Sequence, residues 1–166
     1  MLVTDVHYDG TAAWAAGILL KDFASDEPFA IARVPSEITA PYIPGSFYLR
    51  ELPPLLALLR TLEIPPGCIV VDGYVWLDER MNRAGLGAKL HEALEGRIPV
   101  VGIAKRRFGG TSVKEWELFR GESASPLFVT AAGATEEEAK AAVRSMAGKG
   151  RIPRAVRLAD RIAKGL

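Results

Sequence analysis

Apolar residues recur along this chain in short runs, and the character of the runs changes near residue 68. Before that point, three runs of strand length are separated by short polar turns such as Asp9-Gly10, which is typical of an antiparallel meander. These runs span residues 2–8, 11–21 and 28–34. We predict that they form three antiparallel strands on one side of a sheet.

A different pattern follows the meander. Two continuous apolar runs, residues 68–73 and 98–104, enclose a segment with helical spacing at residues 84–95. Runs without polar alternation are typical of strands buried on both faces, and strand, helix, strand predicts a parallel βαβ unit. Residues 127–131 predict one further short strand.

Helical spacing also appears at residues 47–61, 135–147 and 153–164. Thr135 and Glu138 form the pattern of a capping box at the start of the second of these helices. The predicted fold is therefore a single α/β domain over residues 1–166, with a mixed sheet of five or six strands and helices on both faces.

Composition and charge exclude some classes of protein. Hydrophobic residues make up 49% of the chain, enough for a well-filled core, but no apolar run approaches the roughly 18 residues of a membrane span. The net charge of +1 gives no argument for or against a nucleic-acid partner. The single cysteine, Cys68, fits a reducing compartment, and no signal peptide is recognisable. We expect a cytoplasmic protein without a membrane partner.

The segment before the first predicted helix combines stiffness with polar chemistry. Pro41 and Pro44 restrict the backbone around Tyr42 and Ile43, and Gly45 allows another molecule to approach the backbone closely. Arg50 and Glu51 follow in the first turns of the helix. The alternative is an ordinary turn before an ordinary helix, with Glu51 on its solvated face.

Three carboxylates fall where an open α/β sheet places its ligands. Asp5 lies in the first predicted strand, Glu51 in the helix after the stiff segment, and Asp72 at the end of the first parallel strand. Clustered carboxylates repel one another unless a cation joins them, and their hard oxygens suit Mg²⁺ or Mn²⁺. Alternatively, Asp5 bonds to a backbone amide, Glu51 pairs with a surface arginine, and Asp72 forms a turn with Gly73.

Basic residues follow the second parallel strand and recur on the last helix. Lys105 ends that strand, next to the expected position of Asp72, where it can hold a phosphate or protonate a leaving oxygen. Arg106 and Arg107 widen the positive patch, although charged residues just past a strand are usually solvated. A basic stripe on the last helix is consistent with contact to a phosphate backbone or with a solvated face. It comprises Arg154, Arg157, Arg161 and Lys164.

With these residues in place, the chain resembles the endonuclease V family of repair nucleases, which cut near deaminated purines. The motifs that carry the resemblance occur in the family's order over nearly the whole chain. They are Pro41-Tyr42-Ile43-Pro44-Gly45 with Arg50-Glu51, Val71-Asp72-Gly73, Val101-Gly102-Ile103-Ala104-Lys105-Arg106, Pro126-Leu127-Phe128, and Arg151-Ile152-Pro153 followed by Ala159-Asp160.

The resemblance implies an RNase H-like fold and a monomeric, Mg²⁺-dependent endonuclease of DNA repair, with Mn²⁺ as a substitute. Asp5, Glu51 and Asp72 would be metal ligands or catalytic acids, and Lys105 would contact phosphate. Nucleic acid would be bound by the segment around Tyr42, which would act as a wedge in the duplex, and by residues of a base pocket and its rim. These residues are Tyr42, Ile43, Pro44, Gly45, Phe47, Gly73 and Arg106.

The chain departs from the family pattern in three places. From the resemblance we expect that the family's leading helix is missing, and that residues 74–78 replace its glycine- and histidine-bearing turn after the second metal aspartate. The family's usual histidine ligand falls on Gly133, so Glu136 or Glu137 is a candidate replacement. The alternative is that both acids only stabilise the first turn of the next helix, where exposed amides and the helix dipole favour negative charge. The alternatives to an inosine-specific DNA endonuclease are therefore a non-catalytic nucleic-acid-binding protein with a degenerate site, or an inosine-specific ribonuclease.

Overall fold

A seven-stranded mixed sheet forms the centre of the protein in a computed structural model that describes residues 1–10, 12–37, 46–78, 80–109 and 113–166. The strands are β1 (Leu2–Asp9), β2 (Ala12–Leu19), β3 (Ala30–Glu37), β4 (Ile69–Asp72), β5 (Val100–Ala104), β6 (Glu117–Leu118) and β7 (Leu127–Ala132). Their order across the sheet is β3-β2-β1-β4-β5-β7-β6. The two-residue β6 adds one strand to the predicted count, and a run so short leaves no readable periodicity in the sequence.

Strand directions follow the predicted plan. β1, β2 and β3 pair in antiparallel fashion, whereas β1, β4 and β5 pair in parallel. β7 pairs with β5 in antiparallel fashion and carries β6 on its outer side. The meander and the parallel βαβ unit are both confirmed.

Among the residues that the structure describes, four α-helices cover the two faces of the sheet, as predicted. They are α1 (Tyr48–Arg60), α2 (Leu86–Ala93), α3 (Glu136–Ser145) and α4 (Arg154–Ala163). The capping box of Thr135 and Glu138 is formed at the start of α3. In the described parts of the chain, none of the helices has the length and apolar character needed to cross a bilayer.

Two hydrophobic cores lie on opposite faces because side chains alternate along each strand. Ile69 and Val71 of β4 pack under α1 and α2, whereas Val70 between them packs under α3 and α4. Each helix contributes apolar side chains from its buried face to one of these cores, for example Leu55 of α1 and Val156 of α4. The sheet is therefore held rigidly from both sides.

The parallel strands bring their carboxyl ends to one edge of the sheet. Thr4 of β1 lies beside Val71, and Asp72 lies beside Ile103 of β5. Asp5, Asp72 and Lys105 consequently reach the same edge, as the strand pattern predicts. Because β7 runs the other way, its last residue pairs with Val100 at the start of β5, at the opposite edge.

The chain after β4 crosses directly over β5. A side chain on Gly102 would place its Cβ 2.5 Å from the carbonyl oxygen of Gly73 and 2.8 Å from the nitrogen of Val75. The Val75 amide then donates to Thr130 Oγ1 of β7 at 2.8 Å. The absence of a side chain at position 102 is therefore what allows this crossing.

Candidate active site

Glu51 points into the protein from the first turn of α1. Glu51 is only 5% exposed, so the alternative that it lies on the solvated face of the helix is wrong. Burial is the main cause that raises the pKa of Glu51 to about 8, and the charges of Asp5 and Asp72 act in the same direction. Tyr8 and Arg50 act in the opposite direction without reversing the shift.

Asp5 shares this environment from β1. Burial, followed by repulsion from Asp72 and Asp160, raises its pKa to about 7, while the charge of Lys105 opposes the shift. A hydrogen bond with the Val6 backbone is the smallest influence on Asp5. The surroundings of Asp5 are thus dominated by other carboxylates and by burial, and not by a local turn.

Asp72 and Lys105 meet at the ends of β4 and β5. The Lys105 ammonium donates to Asp72 Oδ2, and both side chains are partly buried. The predicted adjacency is confirmed, and Asp72 does more than form a turn with Gly73.

The structure adds a fourth carboxylate that sequence reasoning missed. Asp160 lies on α4, which packs against β1 and β2, and its charge contributes to the raised pKa of Asp5. Lys164 donates to both carboxylate oxygens of Asp160, at 2.7 and 2.9 Å. One signal was available, because Asp160 is the only acidic residue among the basic and apolar residues 154–164. We call Asp5, Glu51, Asp72 and Asp160 the carboxylate cluster.

The donor chemistry of the carboxylate cluster fits a hard divalent cation. All four side chains offer oxygen, and the raised pKa values of Asp5 and Glu51 show negative charge that the fold leaves under-compensated. As they stand, however, no three acidic, imidazole or thiol groups in the described parts of the chain are close enough to hold one ion. A bound cation would therefore need to draw the carboxylates together and replace Lys105 on Asp72.

The proposed substitute ligands lie elsewhere. Gly133 follows β7 at the opposite edge of the sheet, about 13 Å from the level of Asp72 along the strands. A Cβ there would meet His91 and Pro99, not the carboxylate cluster. Glu136 accepts a hydrogen bond from Trp116 Nε1 at 2.7 Å. The expectation that Glu136 or Glu137 replaces a ligand lost at Gly133 is wrong, because β7 is antiparallel to β5 and places this turn at the opposite edge.

A small cavity opens next to Asp72. Its volume is about 230 Å³, and it is lined by Phe47, Tyr48, Gly73, Tyr74, Leu77, Gly85, Leu86 and Phe108. Two residues predicted for the base pocket, Phe47 and Gly73, are thus brought together. Four of the other predicted nucleic-acid contacts, Tyr42, Ile43, Pro44 and Gly45, lie outside the described residues.

Tyr74 ties the basic loop after β5 to this cavity. Its hydroxyl donates to the Arg106 carbonyl at 2.9 Å and accepts from the Phe108 amide at 3.3 Å. The Phe108 ring stands edge-on to Tyr74, with the ring centroids 6.2 Å apart. Arg106 itself is exposed, whereas Arg107 is paired with Glu117 at 2.8 Å. Tyr74 therefore anchors the loop beside the cavity.

Family and structural comparisons agree with this architecture. The family model for Endonuclease V matches residues 2–130. The chain is similar to an Endonuclease V of Streptomyces coelicolor, with 39% identity over 145 residues, covering 87% of this chain and 58% of the relative. It is also similar to one of Streptomyces avermitilis, with 41% identity over 106 residues, covering 63% of this chain and 44% of the relative. The chain thus spans about half the length of these relatives.

Solved structures show the same fold. The crystal structure of the Streptomyces avermitilis Endonuclease V matches with a TM-score of 0.79 and 30% identity, over 99% of this chain and 79% of the other. Ciona intestinalis Endonuclease V, in complex with a DNA containing an inosine followed by a ribo-adenosine, matches with a TM-score of 0.82 and 18% identity, over 99% and 83%. The fold is RNase H-like, and the chain belongs to the Endonuclease V family.

Proposed function

We propose that this chain is a metal-dependent endonuclease that cleaves a phosphodiester bond near inosine in DNA. The carboxylate cluster is the observation that carries the proposal. Four acids from β1, α1, β4 and α4 converge at one sheet edge, and burial and mutual repulsion raise the pKa values of two of them. Such an arrangement lowers the stability of the cation-free protein, and strongly shifted pKa values of this kind are characteristic of functional sites.

Asp5, Glu51, Asp72 and Asp160 would hold the cation, with Mg²⁺ preferred and Mn²⁺ as a substitute because every donor is a hard oxygen. When bound, the cation would supply an activated water and stabilise charge on the phosphate. Lys105 contributes a positive charge at the same edge, where it would attract a phosphate oxygen or protonate the leaving oxygen. Arg106 would extend this attraction along the nucleic-acid backbone.

The cavity beside Asp72 would receive the altered base. Enzymes that act on a base in duplex DNA extrude it into a pocket that reads its edge and stacks on its faces. Phe47, Tyr74 and Phe108 offer aromatic surface there, and Gly73, with a φ of 149°, leaves open space where a side chain would stand. The base would thereby be held next to the carboxylates.

Tyr42 would fill the space that the extruded base leaves. Tyr42→Ala should reduce cleavage of inosine in duplex DNA about tenfold more than in single strands, because extrusion costs a few kcal/mol only where a stack exists. Initial rates on a matched duplex and single strand would measure this ratio. Equal losses on both substrates would assign Tyr42 a role only in supporting its segment.

A non-catalytic binding protein is the second candidate, and one observation favours it. In the described parts of the chain, the carboxylates are not grouped closely enough to hold an ion as they stand. Such a protein would bind inosine-containing nucleic acid but would not turn over.

Matched DNA and RNA strands, each with one inosine or with guanosine instead, separate these functions. The proposed activity requires cleavage of inosine-containing DNA with Mg²⁺ or Mn²⁺, with no cleavage in EDTA and little of the guanosine control. Cleavage confined to RNA would assign the ribonuclease instead. Binding without cleavage of either substrate would assign the non-catalytic protein.

A further inference from the structure

We propose that Lys164 is an exchangeable counter-ion of the carboxylate cluster. It holds Asp160 while no divalent cation is bound and leaves that carboxylate when a cation arrives. This inference rests on the proposed cation site, and it assigns a function to one member of the basic stripe on α4.

Lys164 contacts the cluster through both oxygens of one carboxylate. Its Nζ lies 2.7 Å from Asp160 Oδ1 and 2.9 Å from Oδ2. The charges of Asp5 and Asp72 also act on the Lys164 ammonium. Lys164 therefore belongs to the electrostatics of the site, although it follows the last residue of α4 and is exposed.

Two lysines then serve the cluster in the same manner from different elements. Lys105, after β5, holds Asp72, and Lys164, after α4, holds Asp160. Two ammonium groups, with the Arg50 guanidinium acting on Glu51, leave the four acids of the cluster with less positive than negative charge around them. The residual charge attracts a divalent cation, whereas the ammonium on Asp160 occupies the oxygens with which that cation would bind.

An ordinary helix-surface pair is the competing explanation, since lysine four residues after an acid is a common stabilising spacing. Such a pair would have no influence on cation binding. The chain offers a matched control in Lys89 of α2, which donates to Glu92 at 2.8 Å and has a side chain about as exposed as that of Lys164. Neither partner of this control contacts the carboxylate cluster.

Calorimetric titration with Mn²⁺, without nucleic acid, tests the inference. Lys164→Met keeps the aliphatic stem and removes the competing charge, so it should bind Mn²⁺ about threefold more tightly, the size expected of an exposed ion pair. Lys164→Gln should do the same, and Lys164→Arg and Lys89→Met should bind as the unaltered protein does. Circular dichroism would confirm that all variants are folded.

The outcomes separate this inference from the proposed function. If the unaltered protein takes up no Mn²⁺, the proposed cation site fails. If it binds Mn²⁺ and the methionine and glutamine variants bind equally or less tightly, only the role of Lys164 is overturned. Tighter binding in Lys89→Met as well would also overturn it, because the effect would then follow overall charge.

Discussion

The two edges of the sheet carry similar residue types in opposite electrostatic conditions. At the edge beyond Gly133, His91 Nδ1 contacts the Ile98 carbonyl at 2.8 Å, Glu136 accepts from Trp116, and Glu138 completes the capping box with Thr135. At the carboxylate cluster, Asp5 and Glu51 are buried against other acids, and their pKa values are raised to about 7 and about 8.

This contrast shows how the acids of a candidate functional site differ from acids that only stabilise the fold. At the Gly133 edge, Glu136 and Glu138 each accept a hydrogen bond from a donor within the fold, so each stabilises the contact that it makes. In the cluster, Lys105, Lys164 and Arg50 face four acids, so protonation of an acid or a bound cation would relieve the remaining repulsion. Residue type alone does not distinguish the two conditions.

Removing one acid of the cluster should have the largest effect. Asp72→Asn keeps the shape of the side chain but removes a charged cation ligand and the partner of Lys105, so cleavage should fall about 1,000-fold, equivalent to about 4 kcal/mol. Rates on inosine-containing DNA and the circular dichroism of both proteins would be compared. Glu136→Gln, at the other edge, is the control and should retain its rate. Wild-type turnover in Asp72→Asn would end the assignment of the site.

The pH dependence of the cation-free protein should be the next effect. Asp5 and Glu51 keep protons in the folded state that the unfolded chain loses near pH 4, so folding is favoured below that value and weakened as pH rises through about 7 and 8. In EDTA, the free energy of unfolding should fall by about 4 kcal/mol between pH 6 and 9. Urea titrations would measure it. Saturating Mg²⁺ should reduce the slope, and a flat profile in EDTA would show that the cluster is already compensated.

Replacing the buried Glu51 with its amide should increase the stability of the cation-free protein while abolishing cleavage. Glu51→Gln cannot ionise, so at pH 9 in EDTA it should be more stable than the unaltered protein by about 1–2 kcal/mol, after allowing for the amide's own buried polarity. Cleavage should nevertheless be lost. The stability gain should vanish at about pH 3, where Glu51 is protonated in both the folded and the unfolded state. A variant less stable at pH 9 would mean that the Glu51 charge is well partnered.

The smallest effect should appear at the Gly133 edge. Glu136→Gln weakens the hydrogen bond from Trp116 and should lower the free energy of unfolding by about 1 kcal/mol. The Mg²⁺ concentration needed for activity should stay within twofold for both Glu136→Gln and Glu137→Gln. A shift of tenfold or more in either titration would show that the substituted glutamate contributes to cation binding, contrary to the geometry.

Most of the fold and three of the four acids could be predicted from the sequence, because each carries a local signal. Continuous apolar runs end at Asp72 and just before Lys105, and parallel strands necessarily bring such ends together. Glu51 was recognisable from its place behind the stiff segment, but its burial was not. The facing side of a helix depends on how α1 docks on the sheet, which short-range spacing does not fix.

Two errors have the same physical origin in long-range geometry. The direction of β7 is not encoded in its apolar run, and only a parallel β7 would have delivered Gly133 to the cluster. The sequence alone indicates that Asp160 is a helix partner of Lys164, four residues later. Its charge acts on Asp5 only because α4 packs against β1. Tyr42 and its neighbours remain predictions, since they lie outside the described residues.

The backbone crossing over Gly102 makes two parts of the site, Asp72 and the cavity wall at Gly73, depend on a residue that belongs to neither. Any side chain there would press on the backbone of Gly73 and Val75, which cannot move aside as a flexible side chain can. Displacement of that backbone would shift the end of β4 with Asp72 and the Gly73 wall of the cavity together. Natural variation can therefore explore the aromatic wall one residue at a time, but position 102 is an evolutionary constraint on both halves of the site at once.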